Sequence, residues 1–155
     1  MIRRAEARDV PALLGLLEQV NLVHHLGRPD LFRRGTKYSP AELEALLADP
    51  LRPVFVWEGP DGRVLGHAFC VIREPVPDDR LLVPVRTLYI DDVCVDAAAR
   101  ERGIGGALCR YVRDYARSLG CHNVTLHVWE CNPGAKAFYE SLGMAPQYTS
   151  MEIVL

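Results

Sequence analysis

The sequence predicts a mixed α/β (α+β) domain built on a partly antiparallel sheet, and three observations predict it. Apolar residues recur with strand and helix periods in the order strand, helix, helix, strand, strand, strand, helix, strand, helix, strand. Two consecutive strands are joined by a short Gly-containing turn, the mark of a hairpin and so of antiparallel pairing. The chain of 155 residues, 49% apolar and 25% charged, has the size and composition of one globular domain spanning residues 1–155.

Ile2–Arg4 forms a short first strand in this reading. Asp9 is a residue type suited to a helix N-cap, and Pro11 fits a first helical turn. Leu13, Leu16, Leu17, Val20 and then Val23 or Leu26 recur at helical spacing until Gly27. GRPDLFRRGTKY is a loop. Ser39 and Glu42 make a capping box with Pro40 at the first helical position, so a second helix runs to about Ala48, where DPLRP stops it. Val54–Trp57 and Val64–Ile72 are the arms of the hairpin, with the turn at Gly59–Gly62. EPVPDDRLLVP is a Pro-rich, acidic loop, and Thr87–Val95 is a further strand. The next helix places Ile104, Leu108, Tyr111, Val112, Tyr115 and Leu119 on one face, with Gly120 as its C-terminal cap. Val124, Leu126 and Val128 alternate along a strand. Pro133 opens a short helix that ends near Gly143, and YTSMEIVL is expected to be a final strand.

Bulk properties exclude several classes. A formal net charge of -2 argues against a nucleic-acid binder that works by bulk charge. No apolar run is long enough to span a bilayer, and MIRRAEARD lacks the apolar core of a signal peptide, so a cytoplasmic protein without a membrane or nucleic-acid partner is expected. The five cysteines, at positions 70, 94, 109, 121 and 131, show no Cys-x-x-Cys spacing and read as reduced, small core residues. Histidine and cysteine do not cluster as metal ligands would, so no metal is expected. Trp57 and Trp129 read as sheet-face packing.

The stretch that carries chemistry is DVCVDAAARERGIGGAL, from Asp92 to Leu108. A strand hands over to a helix there across Arg100, Arg102, Gly103, Gly105 and Gly106. A helix start offers unpaired N–H groups and a partial positive charge, glycine lets a ligand approach the backbone, and two arginines add full charges. The arrangement suits a pyrophosphate. It is not a Walker loop, because Gly-Lys-Ser/Thr is absent. It is not a dinucleotide fingerprint either, because Leu108 stands where a third glycine is required.

The spacing Arg100-x-x-Gly103-x-Gly105 resembles the acetyl-CoA pyrophosphate motif of the GCN5-related N-acetyltransferase (GNAT) family. NPGAKAFYESLGM, from Asn132 to Met144, resembles that family's second signature, and IRRAEARDVPALLGLL resembles its first strand and helix. The resemblance spans essentially the whole chain and is strongest from Tyr89 to Met144. Met144 stands where Phe is more usual.

It implies a mostly antiparallel central sheet of six to seven strands, flanked by about four helices and splayed between its two central strands. It implies acetyl-CoA as co-substrate, direct transfer to a primary amine of a small molecule or peptide, and no metal. The pantetheine arm would lie along Val93, Cys94 and Val95. The pyrophosphate would lie on Arg100, Glu101, Arg102, Gly103, Ile104, Gly105 and Gly106, and Asn132 would contact the cofactor at the splay. Tyr139 would face the sulfur as general acid. Side chains just before the pantetheine segment would reach the acceptor: Asp91 is the first choice for the base, and strand alternation sets it beside Tyr89 and away from Asp92. A bulge would change that register and leaves Asp92 as the reserve. Asn21, His24, Phe32 and Tyr89 would line the acceptor cleft, with EPVPDDRLLVP flanking it. The resemblance also allows homodimerisation through sheet edges or helices. The competing readings are a non-catalytic acyl-CoA-binding or regulatory module and an acyltransferase with another acyl donor; Asn132, Tyr139 and Asp91 together favour the enzyme.

Overall fold

In the computed structural model, which describes residues 1–155, five strands lie in chain order in one sheet: β1 (Ile2–Arg4), β2 (Val54–Glu58), β3 (Val64–Arg73), β4 (Thr87–Val95) and β5 (Asn123–Leu126). Neighbours pair antiparallel except β4 and β5, which are parallel and joined by the crossover helix α3 (Ile104–Ser118). α1 (Val10–Gly27), α2 (Pro40–Ala48) and α4 (Pro133–Ser141) complete the fold. No helix is long and apolar enough to cross a membrane.

The sheet has five strands rather than the expected six to seven, and the final strand does not form. Tyr148–Leu155 alternates in the sequence, yet it pairs with no strand, and Met151, Ile153 and Leu155 are exposed. β-propensity becomes a strand only through ladder bonds, and this segment forms none with the free edge of β1 or β5; it touches the domain through side chains, Tyr148 on His127.

Period-2 alternation gives each face of the sheet its own core. Val54, Val56 and Phe69 point to the face covered by α1 and α2, where they meet Leu13, Leu17, Leu43 and Leu46. Phe55, Ala68, Cys70, Leu88 and Ile90 point to the other face, against Ile104, Leu108 and Val112 of α3. Each fully buried leucine contributes roughly 2 kcal/mol by removing apolar area from water.

Local signals act mostly as the sequence suggests. Ser39 and Glu42 exchange side-chain bonds with each other's amides at the start of α2. Asp9 departs from its expected part. It stands at the N-cap of α1 but caps nothing there. Its carboxylate instead takes the guanidinium of Arg3 (2.7 and 3.0 Å) and the amide of Glu6 (2.8 Å). The charge of Arg3, already close at hand on β1, outcompetes a helix amide.

Two irregularities in β4 shape the site. Phe69 pairs with Asp92 and Cys70 with Ile90, so Asp91 is the extra residue of a β-bulge. On its other side β4 pairs with β5 only from Thr87↔Asn123 to Ile90↔Leu126. β4 then continues to Val95 without β5. The two strands therefore part after Ile90, as the expected splay requires.

Candidate active site

Beyond the splay the chain leaves β4 through a short 3-10 turn, Ala97–Ala99, capped by Asp96, whose Oδ1 accepts from the Ala98 amide at 2.8 Å. Gln19 of α1 fixes this corner, accepting from the Ala97 amide (3.0 Å) and donating to Asp96 (3.3 Å). Glu101 (φ 64°) and Gly103 (φ 75°) are both left-handed, and α3 begins at Ile104. Glu101 is the only non-glycine residue with a positive φ, a conformation that L side chains adopt at a cost. The amide hydrogens of Glu101, Arg102 and Gly103 go to no acceptor in the protein. Those of the first turn of α3 have none within the helix. The result is a row of donors at the positive end of a 15-residue helix. Arg100 and Arg102 are exposed and reach back to the carbonyls of Val95 and Ala98. Gly105 is a point of close approach: a Cβ there would lie 3.3 Å from the ring of Phe138 and 3.5 Å from Val95. α4, the end of β4 and the start of α3 thus meet at one place.

Val93 and Val95 pack toward α3, whereas Cys94 is buried on the other face, and its burial pushes the thiol up to about 12. A thiol held protonated is no nucleophile at neutral pH.

The bulge brings Asp91 and Asp92 onto the same face, where strict alternation would have opposed them. Both oxygens of Asp91 are taken, Oδ1 by the ammonium of Lys37 (2.7 Å) and Oδ2 by the phenol of Tyr38 (2.9 Å), which in turn accepts from Arg52. Burial and the neighbouring Asp91 charge push the Tyr38 phenol up to about 12. Asp92 meets His67 of β3 at 2.5 Å through Oδ2 alone.

Tyr139, on α4, is largely buried. Burial first, then the charges of Cys109 and Asp92, push its phenol well above the ordinary tyrosine range. It therefore stays protonated at neutral pH. Asn132 is the N-cap of α4, its Oδ1 accepting from the Ala135 amide at 3.2 Å, which places its Nδ2 at the mouth of the helix.

The residues expected at the acceptor fall into separate contacts. His24 stacks on Phe32 (5.1 Å between centroids), and Phe32 meets Trp129 edge-on at the same distance. Burial lowers the His24 imidazole, Asp92 opposing and Lys37 adding to it. Asn21 does structural work: its Oδ1 holds the Gly35 amide at 2.9 Å and so anchors the loop. Tyr89 lies under the guanidinium of Arg73 (4.0 Å) and reaches His127, which also bonds Tyr148 at 2.6 Å. Trp129 is not sheet packing; it is 41% exposed on the β5–α4 loop. His67, Lys37 and Tyr38 were missed by sequence reasoning. The one available signal was His67, a lone polar residue inside the apolar run of β3.

Comparison with known proteins follows the same outline. A model of the Acetyltransferase (GNAT) family matches residues 20–144. The chain is 33% identical to glucosamine 6-phosphate N-acetyltransferase 1 of Oryza sativa subsp. japonica over 151 residues, 97% of this chain and 84% of that one. It is 30% identical to a glucosamine 6-phosphate N-acetyltransferase of Trypanosoma brucei brucei over 148 residues, 92% of this chain and 95% of that one. A crystal structure of a mutant BH1408 protein from Bacillus halodurans superposes with a TM-score of 0.96 at 29% identity, covering 100% of this chain and 99% of that one.

Proposed function

From the premise that this chain belongs to the GNAT acetyltransferase family, and is an N-acetyltransferase by that membership, we propose that it moves an acetyl group from acetyl-CoA directly to the primary amine of a small molecule. The observation that carries this reading is the row of unshared amides from Glu101 into α3, set beside the stretch of β4 that β5 leaves unpaired. Those amides, with Arg100 and Arg102, would hold the diphosphate through helix charge and hydrogen bonds. Val93, Cys94 and Val95 would hold the pantetheine arm by their backbone, and Asn132 would add its side-chain amide. Gly106 and Ile104 belong to the same first turn.

Acetyl-CoA, when bound, supplies the acetyl group as a thioester with a thiol leaving group. The chain's own residues handle the protons. Asp92 takes one from the acceptor's ammonium so that the nitrogen can attack. Tyr139, kept protonated by burial, gives one to the sulfur as the C–S bond breaks and the C–N bond forms, and the extra proton left on the acylated nitrogen returns to the phenolate. Asp91, with both oxygens engaged, holds Lys37 and Tyr38 at the acceptor mouth instead. Positioning in a ternary complex supplies much of the remaining rate.

The loop from Arg28 to Lys37, which also carries Phe32, has four cations: Arg28 is paired with Asp30 and Glu152 and Lys37 with Asp91, which leaves the exposed Arg33 and Arg34 without a carboxylate partner. With relatives that are glucosamine 6-phosphate N-acetyltransferases, this favours an amine that also bears an anion, and an amino-sugar phosphate is the first candidate. Titration calorimetry with coenzyme A and acetyl-CoA, followed by thiol-release assays on an amine panel containing glucosamine 6-phosphate and glucosamine, tests the reading. Binding with turnover of at least one amine supports it; no uptake of either ligand by the folded protein defeats it.

A further inference from the structure

His67 and Asp9 are the only polar residues in the buried core. The burial of Asp9 is accounted for by Arg3 and the Glu6 amide. His67 is 0% exposed, bonds Asp92 through Nε2, and leaves Nδ1 without any partner. Phe69 meets its ring edge-on at 4.8 Å and 89°, fixing the imidazole plane, and Phe69 is itself stacked on Tyr38, the residue that holds Asp91. A buried imidazole with one orphaned nitrogen stabilises a core less than an apolar side chain of the same shape would. The position therefore has a use for Nε2, and Nε2 touches one group, Asp92.

We propose that His67 is a positioning residue for the acetyl transfer: its Nε2–H clamps Oδ2 of Asp92 and leaves Oδ1 to receive the proton of the acceptor amine. The proposal rests on the reading that Asp92 is the base. A carboxylate accepts, so the ring hydrogen sits on Nε2. A second hydrogen on Nδ1 would find no acceptor in the core, so His67 donates one way and does not relay protons. The ionisable groups around Asp92 are His67 from β3, Asp91 and Cys94 on its own strand, His24 from α1, Tyr139 from α4, and Lys37 beyond Asp91.

The test compares His67→Gln, which keeps an N–H donor at similar reach, with His67→Met, which has a similar volume and no donor. Acetyl-CoA affinity is measured by calorimetry, and kcat and kcat/KM across pH with the best amine of the panel. Expected is a loss of kcat in H67M on the order of tenfold or more, the size of part of a general-base contribution, at unchanged acetyl-CoA affinity. H67Q recovers most of it. Equal behaviour of the two variants overturns the proposal. In the wild-type protein, nitrogen-edited NMR provides a readout that needs no substitution at position 67: an imidazole N–H resonance, far downfield and lost in D92N, supports it, and hydrogen on Nδ1 instead overturns it. Asp92→Asn separates the two levels. A D92N enzyme of full activity removes the base assignment itself, whereas an inactive D92N beside a fully active H67M removes only the role of His67.

Discussion

Asp91 and Asp92 are neighbours in the chain and share one face of the sheet, yet Asp91 is bonded through both oxygens to Lys37 and Tyr38 while Asp92 is bonded through one oxygen to His67. The bulge at Asp91 is what allows this, since a regular strand would send the two carboxylates to opposite faces. One backbone irregularity thus separates a carboxylate that braces Lys37 and Tyr38 from one with an oxygen to spare.

The two acids should therefore respond differently to loss of charge. Asp92→Asn is expected to lower kcat by about 10²-fold or more, the range of a lost general base, with acetyl-CoA affinity retained. Asp91→Asn is expected to act mainly on the acceptor KM, because Lys37 and Tyr38 lose their anchor. Steady-state kinetics on the pair decides it; the reverse pattern would make Asp91 the base.

Tyr139→Phe is expected to lower kcat by about 10²-fold while leaving the calorimetric affinity for acetyl-CoA within a factor of about two, because the ring and its packing remain. Burial holds the phenol above its ordinary value, and a raised pKa keeps the acid form present as pH rises through neutrality. The wild-type rate should therefore show no loss from Tyr139 ionisation between pH 7 and 10. A limb in kcat within that window that disappears in Y139F would contradict this.

Much of this site was legible from local pattern. The bounds of Thr87–Val95, the capping box at Ser39 and Glu42, the glycine turn before α3 and the start of α4 at Pro133 all depend on residues within a few positions of one another. What escaped depends on contacts between distant segments. His67 and Asp92 are 25 residues apart, and their meeting follows from hairpin register and a bulge that no local pattern fixes. Asp9 looked like a cap because nothing local shows that Arg3 will lie across it. The terminal YTSMEIVL has strand composition, but a strand needs ladder bonds to a distant edge, which composition does not specify, and it makes none with the free edges of β1 and β5.

Gly103 has open space around its Cβ position, so a substitution there tests backbone conformation and little else. Holding alanine at φ 75° costs roughly 1–2 kcal/mol. If the loop relaxes to avoid that cost, the amides of Glu101–Gly103 lose their common direction. Gly103→Ala is expected to weaken coenzyme A binding at least fivefold, with a smaller effect on 3′,5′-ADP, which lacks the bridging diphosphate. Calorimetry on both ligands checks this, and equal weakening would move the diphosphate away from these amides.

Stability should depend on pH through the Arg3 clamp at the N-terminal edge of the sheet. Arg3 bonds both Asp9, whose side chain is only 4% exposed, and Glu58, tying β1 to β2 and to the start of α1. Burial pulls the Asp9 carboxyl upward, but the Arg3 hydrogen bond and the Glu6 amide outweigh it and hold the group below its ordinary value; Arg3 lowers Glu58 as well. Depressed carboxylates contribute stability that is full above their unfolded value near pH 4 and is lost as pH falls through the folded one. Arg3→Met leaves Asp9 buried without its cation and is expected to cost about 3 kcal/mol at pH 7. The difference in Tm between wild type and R3M should hold steady from pH 7 to 5 and narrow below pH 4, where protonation removes the wild type's advantage. Thermal melts at pH 7, 5 and 3 measure it; a gap as wide at pH 3 as at pH 7 would mean that Arg3 stabilises the edge through its alkyl chain rather than its charge.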